Sequence, residues 1–95
     1  MTKNTENEPI MTVRLLYFAW VREKLGRADE TVTVPVGVAT VEELMAWLSA
    51  RGDNYLEVFR RVGVIRAAID QTHADPSQTI AGAREIAFFP PVTGG

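Results

Sequence analysis

The chain has no cysteine and a single histidine. The first absence excludes disulfides, thiolate metal sites and cysteine nucleophiles together. The second leaves His73 alone, too little for a His-rich zinc site or a Ser-His-Asp triad, and no metal site is expected. There is no excess of either charge: ten basic residues stand against twelve acidic ones, for a net charge of −2. With no basic stretch, nucleic acid is not the expected partner. No run approaches the ~18 apolar residues needed to span a bilayer, so no membrane partner is expected. Met1–Pro9 is polar and has no apolar segment of the kind a secretory signal carries, which makes the cytoplasm the expected location. The 95 residues amount to one domain. A chain of that size buries roughly 60–65% of its unfolded surface and folds without covalent staples.

Residues 1–10 read as a flexible extension, because TKNTENEP has little to bury. Met11–Trp20 (MTVRLLYFAW) is β-branched and aromatic and reads as a strand, apolar on both faces towards its end as a central strand is. Val21–Leu25 is a short charged turn of helix stopped by Gly26. Glu30–Val34 (ETVTV) alternates with period two and closes a hairpin with the first strand. Thr40 opens the clearest helix. Thr40-Val41-Glu42-Glu43 fits a capping box, and its two early carboxylates suit the positive end of the helix dipole. Val41, Leu44, Met45 and Leu48 form one apolar stripe that Trp47 widens. Arg51 falls in the last turn, with Gly52 at C′.

Beyond that helix, Tyr55–Val62 is a short helical or irregular connection and Val64–Asp70 (VIRAAID) a strand. Asp70–Gln78 is rich in turn residues, Gly82 marks another turn, and Glu85–Phe89 (EIAFF) is the last strand. A hairpin cannot bury its apolar face alone. One main helix packed on one face of a mixed sheet satisfies this order of elements. The predicted fold is α+β, a roll of the β-grasp type over residues 11–89, with the first and last strands adjacent at its centre.

Period two assigns faces. Arg14 is too polar for a small core, so Leu16 and Phe18 share its outward side while Val13, Leu15 and Tyr17 face the helix. Glu85 puts Ala87 and Phe89 outward and Ile86 and Phe88 inward. Arg66 puts Val64, Ala68 and Asp70 outward and Ile65, Ala67 and Ile69 inward. Leu16, Phe18 and Phe89 then meet on a sheet face that no second helix covers, a candidate docking patch. Signals for catalysis are mostly missing. Glu42-Glu43 reads as capping, Asp29-Glu30 as a solvated turn, Arg22-Glu23-Lys24 as an exposed face with local pairing, and His73 as a turn residue. The glycines at 26, 37, 52 and 63 are too dispersed for a phosphate-cradling loop. Trp47 and the aromatics of the first strand read as core.

The tail is different. Pro90 and Pro91 favour an extended course that holds it off the body. The six residues from Pro90 to Gly95 reach at most ~20–22 Å. Gly94 and Gly95 carry no side chains, so a terminal carboxylate there can enter a narrow channel in another protein.

FFPPVTGG at 88–95, preceded by GAREIA at 82–87, resembles the C-terminal signature of the small subunit of molybdopterin synthase, a family of ubiquitin-like β-grasp sulfur carriers. LLYFAWVREKLG at 15–26 is similar to that family's first strand and turn, with its FA-x-x-RE pattern, TVEEL at 40–44 to its helix start, and AAIDQT at 67–72 to its third strand and turn. Asp70 and His73 depart from the family's usual Asn and apolar residue. The resemblance implies a non-catalytic subunit of a sulfurtransferase complex, a heterotetramer in which two carriers flank a dimer of large subunits. Gly95 would be adenylated by an enzyme resembling ubiquitin E1, with ATP consumed there and no cofactor bound by this chain. A sulfur donor protein would then make the thiocarboxylate, which the large catalytic subunit uses to convert cyclic pyranopterin monophosphate to molybdopterin. Pro90, Pro91, Val92, Thr93 and Gly94 would be the threaded tail, and Phe18, Phe89, Leu16 and His73 the docking residues. A sulfur carrier of thiamine or cysteine biosynthesis shares the Gly-Gly end, although FFPPV and FA-x-x-RE argue against it. A ubiquitin-like modifier or interaction domain is the alternative of a different class.

Overall fold

The computed structural model describes residues 11–61 and 63–91. The extension at 1–10 and the tail residues Val92, Thr93, Gly94 and Gly95 lie outside the described residues. The elements are β1 (Met11–Tyr17), α1 (Ala19–Leu25), β2 (Asp29–Val34), α2 (Val41–Ser49), α3 (Asp53–Phe59), β3 (Arg66–Ile69), β4 (Thr72–Ala74) and β5 (Glu85–Phe89). The five strands form one sheet in the order β2-β1-β5-β3-β4. The first and last strands are its central pair and run parallel, Arg14 opposite Glu85 and Tyr17 opposite Phe88. Both outer hairpins are antiparallel. The architecture is the mixed β-grasp sheet expected, with three helices rather than a single main one.

Alternation decides which side is dry. Val13, Leu15 and Tyr17 from β1, Val32 and Val34 from β2, Ala67 from β3 and Ile86 and Phe88 from β5 share one buried cluster. Val21 and Leu25 of α1, Val41, Leu44, Met45 and Leu48 of α2, and Val58 and Phe59 of α3 belong to the same cluster. All three helices therefore cover a single face. Phe59 meets Phe88 edge-on at 5.0 Å between ring centroids, and Tyr17 lies 6.4 Å from each. Each such ring contributes about 1.5–3 kcal/mol by leaving water. The helix start at Thr40 is as its sequence predicts: its hydroxyl accepts from the Glu43 amide at 3.2 Å, and the Glu43 carboxylate accepts from the Thr40 and Ala39 amides.

Several boundaries differ from expectation. The first strand stops at Tyr17, not Trp20, because Ala19 takes φ 56° and turns the chain into α1. That left-handed conformation costs an alanine about 1–2 kcal/mol. Gly52 does not end α2; Ala50 does, and Gly52 leads directly into α3. Val64–Asp70 shortens to Arg66–Ile69, and the turn-rich segment after it holds an extra edge strand, β4. Asp70 and Gln71 make that hairpin possible by adopting φ 48° and 75°. Asp is among the residues that tolerate this region, and here its carboxylate also accepts from the Arg84 and Glu85 amides at 3.1 and 2.9 Å, anchoring the start of β5. Lys24 pairs not within its own helix but with Glu57 of α3, at 3.1 Å.

The largest correction concerns Glu30, which is not in a solvated turn. It occupies the first inward position of β2, in register with Leu15, and its side chain is only 8% exposed. The Tyr17 and Tyr55 hydroxyls donate to its Oε2 at 2.7 and 2.8 Å, while Arg27 and Arg51 reach its Oε1 at 2.9 and 3.3 Å. Arg51 in turn lies over the rings of Trp47 and Tyr55. One carboxylate thus joins both hairpin strands to the α2–α3 turn and to α3. Burial alone pushes the Glu30 carboxyl up, but the two hydroxyls and two guanidinium groups outweigh it and hold it below the ordinary value of 4.5. Burial and the same hydrogen bond push the Tyr17 hydroxyl up, so it stays a donor.

A carboxyl lowered on folding stabilises the fold above its unfolded value, and that contribution disappears as pH falls through the folded one. Glu30→Gln keeps the shape and loses the charge. We expect a loss of about 1–3 kcal/mol at neutral pH, the scale of a charged hydrogen-bonding network. The acid dependence of stability below pH 4.5 should be shallower in the variant. Urea denaturation of both proteins across the acid range checks this.

Candidate functional site: the open sheet face and the root of the tail

Among the described residues no helix covers the second face of the sheet. Its β1 contribution is Thr12, Arg14 and Leu16. Phe18 continues the series, because its backbone remains extended (φ −127°, ψ 154°) and its amide donates to the Phe88 carbonyl at 3.1 Å. Phe18 is 47% exposed, high for so large an apolar ring. Register places Leu16 beside Ala87, Ala87 beside Ala68, and Ala68 beside His73. His73, expected in a turn, is on β4, and its ring meets the Phe89 ring edge-on at 5.6 Å. Leu16, Phe18, Phe89 and His73 therefore all lie at the end of the sheet where β1 and β5 finish. Ala68 is buried yet stands outside the core cluster, because its neighbours on this open face shield so small a side chain.

Lower on the same face the residues are charged. Arg14 binds Asp29 at 2.6 Å and stands opposite Glu85. The Asp29 hydrogen bond holds the Arg14 guanidinium above its usual range. Asp29 is a strand residue here, not a turn residue. The face is thus divided along the strands into an ion-paired half and a half where Leu16, Phe18, Phe89 and His73 lie with the exposed Arg66 opposite Phe89, and Pro90 leaves from the latter. Phe89 ends β5, and Pro90, half-buried, and Pro91, exposed, follow it. Proline cannot donate to a strand ladder, so two in succession end the pairing at the rim. Gly95, the residue the sequence singles out for chemistry, and Gly94, Thr93 and Val92 lie outside the described residues.

Among the described residues no three side chains of the His, Asp and Glu types gather as a metal site, and no helix is long and apolar enough to cross a membrane. Glu30, the most thoroughly hydrogen-bonded acid, has both oxygens committed to structural partners on the opposite side of the sheet. What this face presents is an exposed ring, Phe18, with the half-buried Phe89 and the exposed His73, beside the point where Pro90 leaves the sheet.

A five-stranded mixed sheet with a parallel central pair and helices on one face defines a ubiquitin-like β-grasp protein. The chain belongs to the ThiS family, which it matches over residues 15–95. The molybdopterin synthase sulfur carrier subunit of Escherichia coli (strain K12) is 35% identical over 83 residues, 87% of this chain and 99% of that protein. The protein of the same name from Haemophilus influenzae is 34% identical over the same shares. Among solved structures, SAMP1 from Haloferax volcanii superposes with a TM-score of 0.68 at 28% identity, over 90% of this chain and all of that one.

Adjacent phenylalanines test the division of faces. Phe88 is fully buried and Phe89 half-buried. Phe88→Ala should cost about 3–5 kcal/mol, as a core phenylalanine does. Phe89→Ala should cost well under half of that in chemical denaturation. Equal losses would mean that the two faces are assigned the wrong way round.

Proposed function

We propose that this chain is the sulfur carrier of a molybdopterin synthase and acts in molybdenum cofactor biosynthesis. The observation that carries the reading is the near full-length match to curated carrier subunits, in a β-grasp fold whose last strand ends at Phe89, on the same end as the exposed Phe18 and six residues before Gly95. The chemistry asked of the chain is small. One carboxylate oxygen of Gly95 attacks the α-phosphorus of ATP in an E1-like activating enzyme and expels pyrophosphate. Sulfur from a donor protein then displaces AMP at the carbonyl carbon, and the oxygen leaves on AMP. The resulting thiocarboxylate enters the large synthase subunit, gives its sulfur to cyclic pyranopterin monophosphate, and is returned by water to the carboxylate.

Acid–base and phosphate-binding groups belong to those partners, and ATP to the activating enzyme. This chain supplies the docking face (Leu16, Phe18, His73 and Phe89) and a tail (Pro90, Pro91, Val92, Thr93, Gly94) narrow enough to thread. The likeness to SAMP1, named as a small archaeal modifier protein, favours a second reading in which Gly95 is joined to lysines of other proteins.

Intact-mass analysis of the chain, co-produced with its sulfur machinery, separates the two. A carrier gains the increment of one oxygen replaced by sulfur, and deleting Gly95 abolishes that increment while leaving the thermal midpoint unchanged. A modifier appears instead as protein adducts on lysine, and that outcome would sink the carrier reading.

A side chain at position 94 should block passage. Gly94→Ala, supplied as a chemically made thiocarboxylate to bypass activation, should bind the large subunit normally. Its single-turnover sulfur transfer should be at least about tenfold slower, or ~1.4 kcal/mol in the barrier.

A further inference from the structure

The open face carries a cation that its own chain does not neutralise, and that residue constrains what can cover the face. Arg66 is exposed, starts β3 and stands directly opposite Phe89, at the root of the tail. Among the described residues it makes no ion pair, whereas Arg14 on the same face is held by Asp29 at 2.6 Å, and Arg84 shares a concavity at the far end of the face with two acids, Asp70 and Glu85. The nearest acid along the neighbouring strand is Asp75, one residue beyond Ala74, which itself stands opposite Ala67. It does not pair with Arg66.

A second arginine lies at the rim of the same end. Arg61 sits over the ring of Trp20, 5.6 Å from its centroid, two residues beyond Phe18. It shares a shallow concavity with Trp20, Glu23 and Lys24, and the Lys24 charge is already engaged by Glu57.

We propose that the protein surface accepting this carrier presents carboxylates around the opening the tail enters, one of them opposite Arg66 and another within reach of Arg61. The inference rests on the carrier reading, in which a partner covers this face. Covering Phe18, Phe89 and Leu16 removes Arg66 from water as well. A guanidinium covered without a counter-charge opposes association strongly, while one that meets a carboxylate fixes the register of docking and is attracted from a distance. Arg14 needs no such partner, so the demand falls on one end of the face. The chain as a whole carries a net charge of −2, so attraction to an acidic partner surface comes from local cations such as Arg66 and Arg61 rather than from net charge.

The test is stopped-flow association with the large subunit of molybdopterin synthase, and separately with the E1-like enzyme, at low and at physiological ionic strength. Wild-type association should slow as salt rises. Arg66→Glu should associate about tenfold more slowly at low salt with a flattened salt dependence, the scale of electrostatic steering, and adding Arg61→Glu should slow it further. Thermal midpoints should not change. Arg84→Glu makes the same change in net charge just before Glu85, at the opposite end of β5, and should associate like wild type. The proposal is overturned if Arg66→Glu associates as fast as wild type, or if Arg84→Glu is slowed equally, which would make net charge the cause. If the wild-type chain binds neither partner, the carrier reading falls together with this one.

Discussion

The parallel pairing of β1 with β5 is the constraint on which the rest depends. It joins the two ends of the fold at the centre of the sheet, so the last strand is flanked on both sides and cannot fray. Because the strands run the same way, Phe18 and Phe89 emerge at the same end, and whatever follows Phe89 leaves beside the ring of Phe18. An antiparallel pair would have separated Phe89 and Pro90 from Phe18 by the length of the strands. The anchoring of Arg84 and Glu85 by Asp70 serves the same end, because it fixes where β5 begins and hence which residues face outward.

The two sides of that sheet are built differently. The helical side holds the aromatic cluster of Tyr17, Phe59 and Phe88 and the Glu30 network, in which each buried oxygen has a donor. The open side holds small residues, Ala68 and Ala87, bordered by larger rings. The strained turn at Ala19 separates the two sides within consecutive residues, leaving Phe18 on the open side and sending Val21 and Leu25 into the core.

What the sequence determined by itself is whatever rests on short-range periodicity. The Thr40 capping box, the apolar stripe of α2, the alternation that put Leu15 inward and Leu16 outward, and the boundaries of EIAFF depend on neighbours within a few residues. The end of β5 at Phe89 was legible in the same way, because the Pro90-Pro91 pair that follows cannot donate to a strand ladder. The tertiary structure decided whatever required partners distant in sequence. Asp29-Glu30 looks like a polar turn until Tyr55 and Arg51, more than twenty positions away, arrive to satisfy Glu30 in the interior. His73 looks like a turn residue until β3 gives its strand an edge to pair with and Phe89 gives its ring a contact. A buried charge is tolerable only when its donors are assembled, and an edge strand of three residues exists only when a sheet is already there to receive it. Both conditions are properties of the folded chain, and local sequence cannot express them.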